Sequence, residues 1–117
     1  MDGGTQICPR FEVAAGLLGK RWTGLILRVL MEGPRRFGEL AQTVGQLSER
    51  VLSERLKELE AERVLLRTVE PGPPVRVVYR LTEKGEALRE VIDAMAHWAE
   101  AWVDAPVEAP LAARGRR

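Results

Sequence analysis

A chain of 117 residues can fill a single core and is too short for two. With 45% hydrophobic and 30% charged residues it has no apolar run near the ~20 residues of a membrane span, and the polar start Met1 to Gln6 is unlike a signal peptide, so no membrane role and a cytoplasmic location are expected. A formal charge of +1 does not by itself announce a nucleic-acid partner, so the distribution has to.

That distribution is segregated. Between positions 20 and 36 lie Lys20, Arg21, Arg28, Arg35 and Arg36 against Glu32 alone, and Arg114, Arg116 and Arg117 close the chain. The acids gather at Glu58, Glu60 and Glu62 and further toward the C-terminus.

Taken in order, residues 1–8 with Gly3 and Gly4 are expected to form a flexible arm. Phe11, Ala14, Ala15 and Leu18 recur at helical spacing and predict a first helix, broken by Gly19-Lys20-Arg21. Trp22, Leu25, Ile26, Val29 and Leu30 predict a second, running to Met31 and stopped by Gly33-Pro34. Phe37, Leu40, Ala41 and Val44 mark a short third helix, after which Gly45-Gln46-Leu47 makes a turn. Ser48 then suits the N-cap of a fourth helix, since its hydroxyl can accept from an unpaired first-turn amide. This helix is expected to reach Arg63, with Leu52, Leu56 and Leu59 on one narrow stripe and Arg50, Glu54 and Lys57 opposite.

Two strand-like runs follow, 66–70 and 76–81, around Pro71-Gly72-Pro73-Pro74, whose prolines cannot donate ladder bonds and therefore belong at a hairpin tip. Thr82-Glu83 opens one long last helix with Leu88, Val91, Ile92, Met95, Trp98, Ala99 and Trp102 on its apolar side. Residues 104–117, interrupted by two prolines, read as a disordered basic tail. The expected core is Leu25, Ile26, Val29, Leu40, Leu52, Leu56, Leu59 and Leu66. The fold class is α+β, mainly α: a winged helix-turn-helix over residues 9–103 with added N- and C-terminal dimerisation helices.

Catalytic chemistry is poorly represented. His97 is the only histidine and sits in an apolar helix. No metal-ligand spacing, phosphate-binding glycine loop or nucleophile motif is present, so neither an enzyme nor a cofactor or metal is expected. Cys8, the only cysteine, is inert, reactive, or paired across a dimer.

Double-stranded DNA is the expected partner, because a helix shaped for the major groove is combined with cations for phosphates and planar donors for base edges. In a helix-turn-helix the N-terminal part of the second helix enters the groove, which makes Ser48, Glu49, Arg50, Ser53, Glu54 and Lys57 the candidate contacts. Arg50 suits guanine, Lys57 a phosphate, and Glu49 and Glu54 cytosine amino groups. A mixed-charge solvated helix face explains these residues equally well; the hairpin that follows tips the balance. Arg76, just past its tip, can reach an adjacent minor groove, whereas Arg67 and Arg80 read better as edge-strand protection. Arg35 and Arg36 are placed to anchor phosphate from the loop before the third helix. The surplus of apolar residues at the ends, Phe11, Leu18, Val91, Met95, Trp98 and Trp102, predicts a homodimer, which would put two reading helices on successive major-groove faces.

The ordered series Cys8-Pro9, Leu18-Gly19-Lys20-Arg21-Trp22, Leu25 to Arg28, Gly33 to Leu40, Leu47 to Ser53, Leu56 to Glu60, Pro74 with Arg76-Val77 and Tyr79, and Leu81 to Gly85 resembles the HxlR-type winged-helix regulators, relatives of the MarR group. The resemblance spans about residues 8 to 103, and its specificity lies in the order rather than in any one piece. It implies a homodimeric DNA-binding regulator joined through its terminal helices, with the fourth helix as reader and the hairpin as wing. It also implies that Cys8 occupies the position where several members sense oxidants or electrophiles. Val75 and Val78 depart from the family pattern, which commonly has a second proline and an acidic residue there. A small-molecule effector bound between the wing domain and the dimer helices is the competing input. The competing function is a winged-helix module that binds protein instead of DNA through the acidic second half of the reader helix.

Overall fold

The structure, a computed structural model, describes residues 8–105, so most of the expected arm (1–7) and tail (106–117) lies outside the described residues. Helix α1 covers Pro9–Leu18, with Pro9 in the first turn where its missing N–H costs nothing. Helix α2 covers Thr23–Leu30 and buries Thr23, Ile26, Leu27, Val29 and Leu30. Leu25, expected in the core, is instead 37% exposed and Leu27 takes its place. The run Leu25-Ile26-Leu27 is apolar most of the way round the helix, so periodicity alone could not say which side faces inward.

Arg35–Arg36 form a short strand β1, antiparallel to Tyr79 and Val78, where the sequence suggested a loop. Gly33, at φ 143°, makes the turn into it, a backbone angle closed to most other residues. Helix α3, Phe37–Thr43, begins with the Arg36 N–H donating to Glu39 Oε1 at 2.8 Å. That bond, followed by the charges of Arg36 and Arg35, holds the Glu39 carboxyl below its usual range.

Helix α4 spans Glu49–Ala61. As expected, the Ser48 hydroxyl accepts from the Val51 N–H at 3.1 Å, and Leu52, Leu56 and Leu59 are sealed in the core. The helix stops two residues short of the expected Arg63, because Arg63 turns left-handed at φ 60° and sends Val64 inward.

Strands β2 (Leu65–Glu70) and β3 (Arg76–Leu81) form the hairpin, and the sheet order is β1-β3-β2. Pairing of Leu65 with Leu81 starts β2 one residue early and reverses the expected inward side: Leu65 is buried and Leu66 is 48% exposed.

The expected long last helix is broken into α5 (Glu83–Glu86) and α6 (Arg89–Trp102). Thr82 caps α5 by accepting the Gly85 N–H at 3.1 Å, and its own N–H donates to the Val64 carbonyl. This docking of Gly85 onto the Val64 carbonyl just after α4 redirects the chain, and from α6 only Ile92 is fully buried. Arg89 then donates to the Met31 carbonyl at 3.1 Å, satisfying the end of α2.

Candidate nucleic-acid interface

The outward side of α4 carries Arg50 and Glu54 joined at 2.9 Å, one helical turn apart. Arg50 is the freer of the two, with its side chain 79% exposed. Lys57 and Glu49 are exposed nearby, and Ser53 is half-buried. Ser48 is exposed, and although its oxygen accepts one bond as the N-cap, its hydroxyl proton and a second lone pair stay open to a ligand. Of the expected reader residues, Arg50, Glu54 and Lys57 thus stand on the side of α4 away from the leucine stripe, while Ser53 lies at its flank and Ser48 and Glu49 at the helix start.

Arg76 opens β3 opposite Glu70, beside a tip in which Gly72 takes φ 131°. Neither Lys57 nor Arg76 is ion-paired with another of the described residues, so both are available to phosphate or base. Arg80 pairs with Glu70 at 3.7 Å, but it lies on β3, the middle strand of the sheet, so it does not guard an edge as expected.

The two arginines before α3 differ. Arg35 donates to the carbonyls of Gly33 and Pro34 at 3.0 and 3.1 Å and pairs with Glu32 at 3.2 Å, so its guanidinium is committed to the turn. Arg36 is half-exposed, 3.6 Å from Glu39, and is the better placed of the two for a phosphate.

Of the three acids at the end of α4, Glu60 is exposed while the other two are paired. Glu58 is bonded by Lys20 and Arg55, and Glu62 lies 3.7 Å from Lys84. Sequence reasoning missed Arg55 and Lys20, because a contact across 34 to 38 positions leaves no local signal.

On the remaining surface Phe11, Val91, Met95, Trp98 and Trp102 are exposed, Trp98 by 61% and Trp102 by 75%. The four α6 residues recur at helical spacing and form one apolar stripe. Leu18 differs from the others assigned with it, since it packs partly buried against the core of its own chain. Cys8 is exposed at the N-cap of α1.

A short helix, a turn, a second helix with a sealed inner stripe and a charged outer side, and a hairpin running on from it define a winged helix-turn-helix protein. The profile of the HxlR-like helix-turn-helix family matches residues 17–106. The chain belongs to this family of MarR-like winged-helix transcription regulators.

Among its relatives, the HTH-type transcriptional regulator YodB of Bacillus subtilis is 52% identical over 97 residues, covering 83% of this chain and 87% of that protein. The structure of reduced YodB superposes with a TM-score of 0.77 at 49% identity, covering 85% of this chain and 97% of the other. Quinone-bound YodB gives 0.73 at 48% identity, with 82% and 100% covered. The redox regulator HypR in its oxidised form gives 0.77 at 32% identity, with 84% and 100% covered.

Proposed function

We propose that this protein is a homodimeric, sequence-specific DNA-binding regulator without enzymatic activity, a cytoplasmic repressor that occludes a promoter by holding an inverted-repeat operator. The observation that carries this reading is the two-sidedness of α4. Its leucine stripe is sealed in the core, while Arg50, Glu54 and Lys57 stand exposed on a helix that leads directly into a hairpin bearing Arg76. Residues 9–103 form the working unit.

In this reading α4 enters the major groove. Arg50 reads guanine bidentately, Glu54 and Glu49 accept from cytosine amino groups, and Ser48, Ser53 and Lys57 complete the contact with the groove and its phosphates. Arg36 adds a phosphate contact from β1, Arg35 holds that turn in shape, and Arg76 enters the flanking minor groove. Phe11 and the α6 stripe of Val91, Met95, Trp98 and Trp102 are buried against a second copy, with Leu18 at the inner margin.

Gel-shift titration of variants tests these roles. Arg50→Ala is expected to flatten base preference at one position of each half-site at a cost of about 1–3 kcal/mol. Arg76→Ala is expected to weaken binding chiefly where A/T-rich sequence flanks the site. Unchanged affinity in both variants would sink the assignment.

The input we propose is an oxidant or electrophile acting at Cys8. Support comes from its exposure at the head of α1 and from the relatives, since YodB has been solved in reduced, diamide-treated and quinone-bound forms. Cys8→Ser is expected to bind the operator normally and to keep binding after diamide treatment that releases the native protein. If the variant is released equally, Cys8 has no part in the response.

A further inference from the structure

The rear flank of α4 is fastened to a part of the molecule that DNA reading does not use. Between α1 and α2 the chain turns through Trp22, whose φ of 80° is left-handed, a conformation that a bulky residue keeps only when its surroundings impose it. The Arg21 guanidinium lies 4.5 Å from the centre of the Trp22 ring, and the Arg21 carbonyl accepts from Arg55 Nε of α4 at 2.9 Å. Arg55 Nη1 reaches Glu58 Oε2 at 3.4 Å, and that oxygen also accepts from the Lys20 ammonium at 3.1 Å. Lys20 and Arg55 together hold this carboxylate in the corner through Oε2, while the buried Oε1 has no partner among the described residues.

Apolar packing does not supply the same restraint. An open groove of about 300 Å³ runs between α1 and α4 here, lined by Val13, Gly16 and Leu17 of α1, by Ala61 at the end of α4 and by Glu62 just beyond it, beside the Lys20–Glu58 pair. The stripe of Leu52, Leu56 and Leu59 decides which side of α4 faces inward, but one line of contacts leaves the crossing angle free to vary by several degrees. A lateral anchor removes that freedom. Arginine suits the task because its planar fork presents two nitrogens in fixed directions, one to the carbonyl and one to the carboxylate, where a lysine offers a single nitrogen on a flexible stem.

We propose that Arg55, with Glu58 and Lys20, is the positioning joint that sets the pitch of α4 against the body, and thereby the half-site spacing the homodimer accepts; this rests on the DNA-binding reading above. A tilt of α4 is applied twice in a two-fold dimer, once on each side of the axis, so it changes the separation of the two readers and not the bases each one reads.

The test measures affinity for an inverted repeat selected by the native protein and for the same repeat with its spacer lengthened or shortened by one base pair. The native protein is expected to prefer one spacer by about tenfold or more, and Arg55→Ala to cut that preference to about threefold or less, with single half-site affinity unchanged. Arg55→Lys, which keeps the charge and loses the fork, is expected to behave like Arg55→Ala; full recovery in it overturns the joint. Amide hydrogen exchange of the free protein gives a second readout: exchange rises at residues 18–23 and 49–57 in Arg55→Ala and stays as in the native protein in β3 and α6. A uniform rise would mean general loss of stability and would overturn the inference. Retention of the spacer preference in Arg55→Ala, or a native protein indifferent to spacer length, overturns the joint and leaves the DNA-binding reading standing. A native protein that binds no duplex overturns that reading, and the spacing role with it.

Discussion

Gly85→Ala is expected to destabilise the protein by about 3 kcal/mol or more, which for a domain of this size lowers the melting temperature by roughly 10–25 °C. A Cβ on residue 85 would overlap the Val64 carbonyl oxygen and stand 3.1 Å from a Leu81 methyl. The carbonyl cannot retreat, because it already accepts the Thr82 N–H at 3.1 Å and lies within reach of the Thr82 hydroxyl. Relief therefore requires moving the backbone of α5, which loosens the Thr82 cap and the entry to β2 together. Gly38→Ala is the control. Nothing lies within 4 Å of where its Cβ would stand, and it sits inside α3, so helix propensity should make the change neutral or stabilising by up to about 1 kcal/mol. Urea or thermal unfolding of both variants checks the pair. A Gly85→Ala protein that melts within a few degrees of the native one would mean that α5 does not rest on the Val64 carbonyl.

The second large effect concerns assembly. Trp98→Glu is expected to leave the domain folded, because Trp98 is 61% exposed and outside the core, yet to convert the proposed homodimer to monomer. Val91, Met95, Trp98 and Trp102 form one apolar stripe, and a carboxylate in its middle would have to be buried twice across a two-fold axis with no cation to meet it. Losing the second reader removes the gain from bivalent binding, so affinity for the inverted repeat should fall by about 10²- to 10⁴-fold while affinity for one half-site is kept. Sedimentation and anisotropy titration measure the two parts. A native protein that sediments as a monomer, or a variant that remains dimeric, would show that this stripe is not the interface.

Much of the proposed reading apparatus was legible in the residues because the deciding physics is local. Ser48 as a cap, the leucine stripe of α4 and the proline-rich hairpin tip all depend on side chains within a few positions of one another. The misread places share a different cause. At Leu25 to Leu27 and again at Val64 to Leu66, consecutive apolar residues erase the alternation that tells inside from outside, and only the partners settle it: the core around α2 chose Leu27, and the pairing of Leu65 with Leu81 chose Leu65. Strand β1 is two residues long and exists only because β3 lies beside it.

Residue pattern was enough for the order of the first four helices and the hairpin after them, the inner and outer sides of α4, and the family pattern spread along the chain. Those features rest on hydrophobic period, capping and proline chemistry, which operate over a turn or two of backbone. Packing of the whole chain decided that Leu65 and not Leu66 faces inward, that the last helix breaks over Gly85, and that Glu58 and Glu62 pair with Lys20 and Lys84. Each of these depends on which distant carbonyl or charge arrives within about 3–4 Å, a distance that chain spacing does not encode.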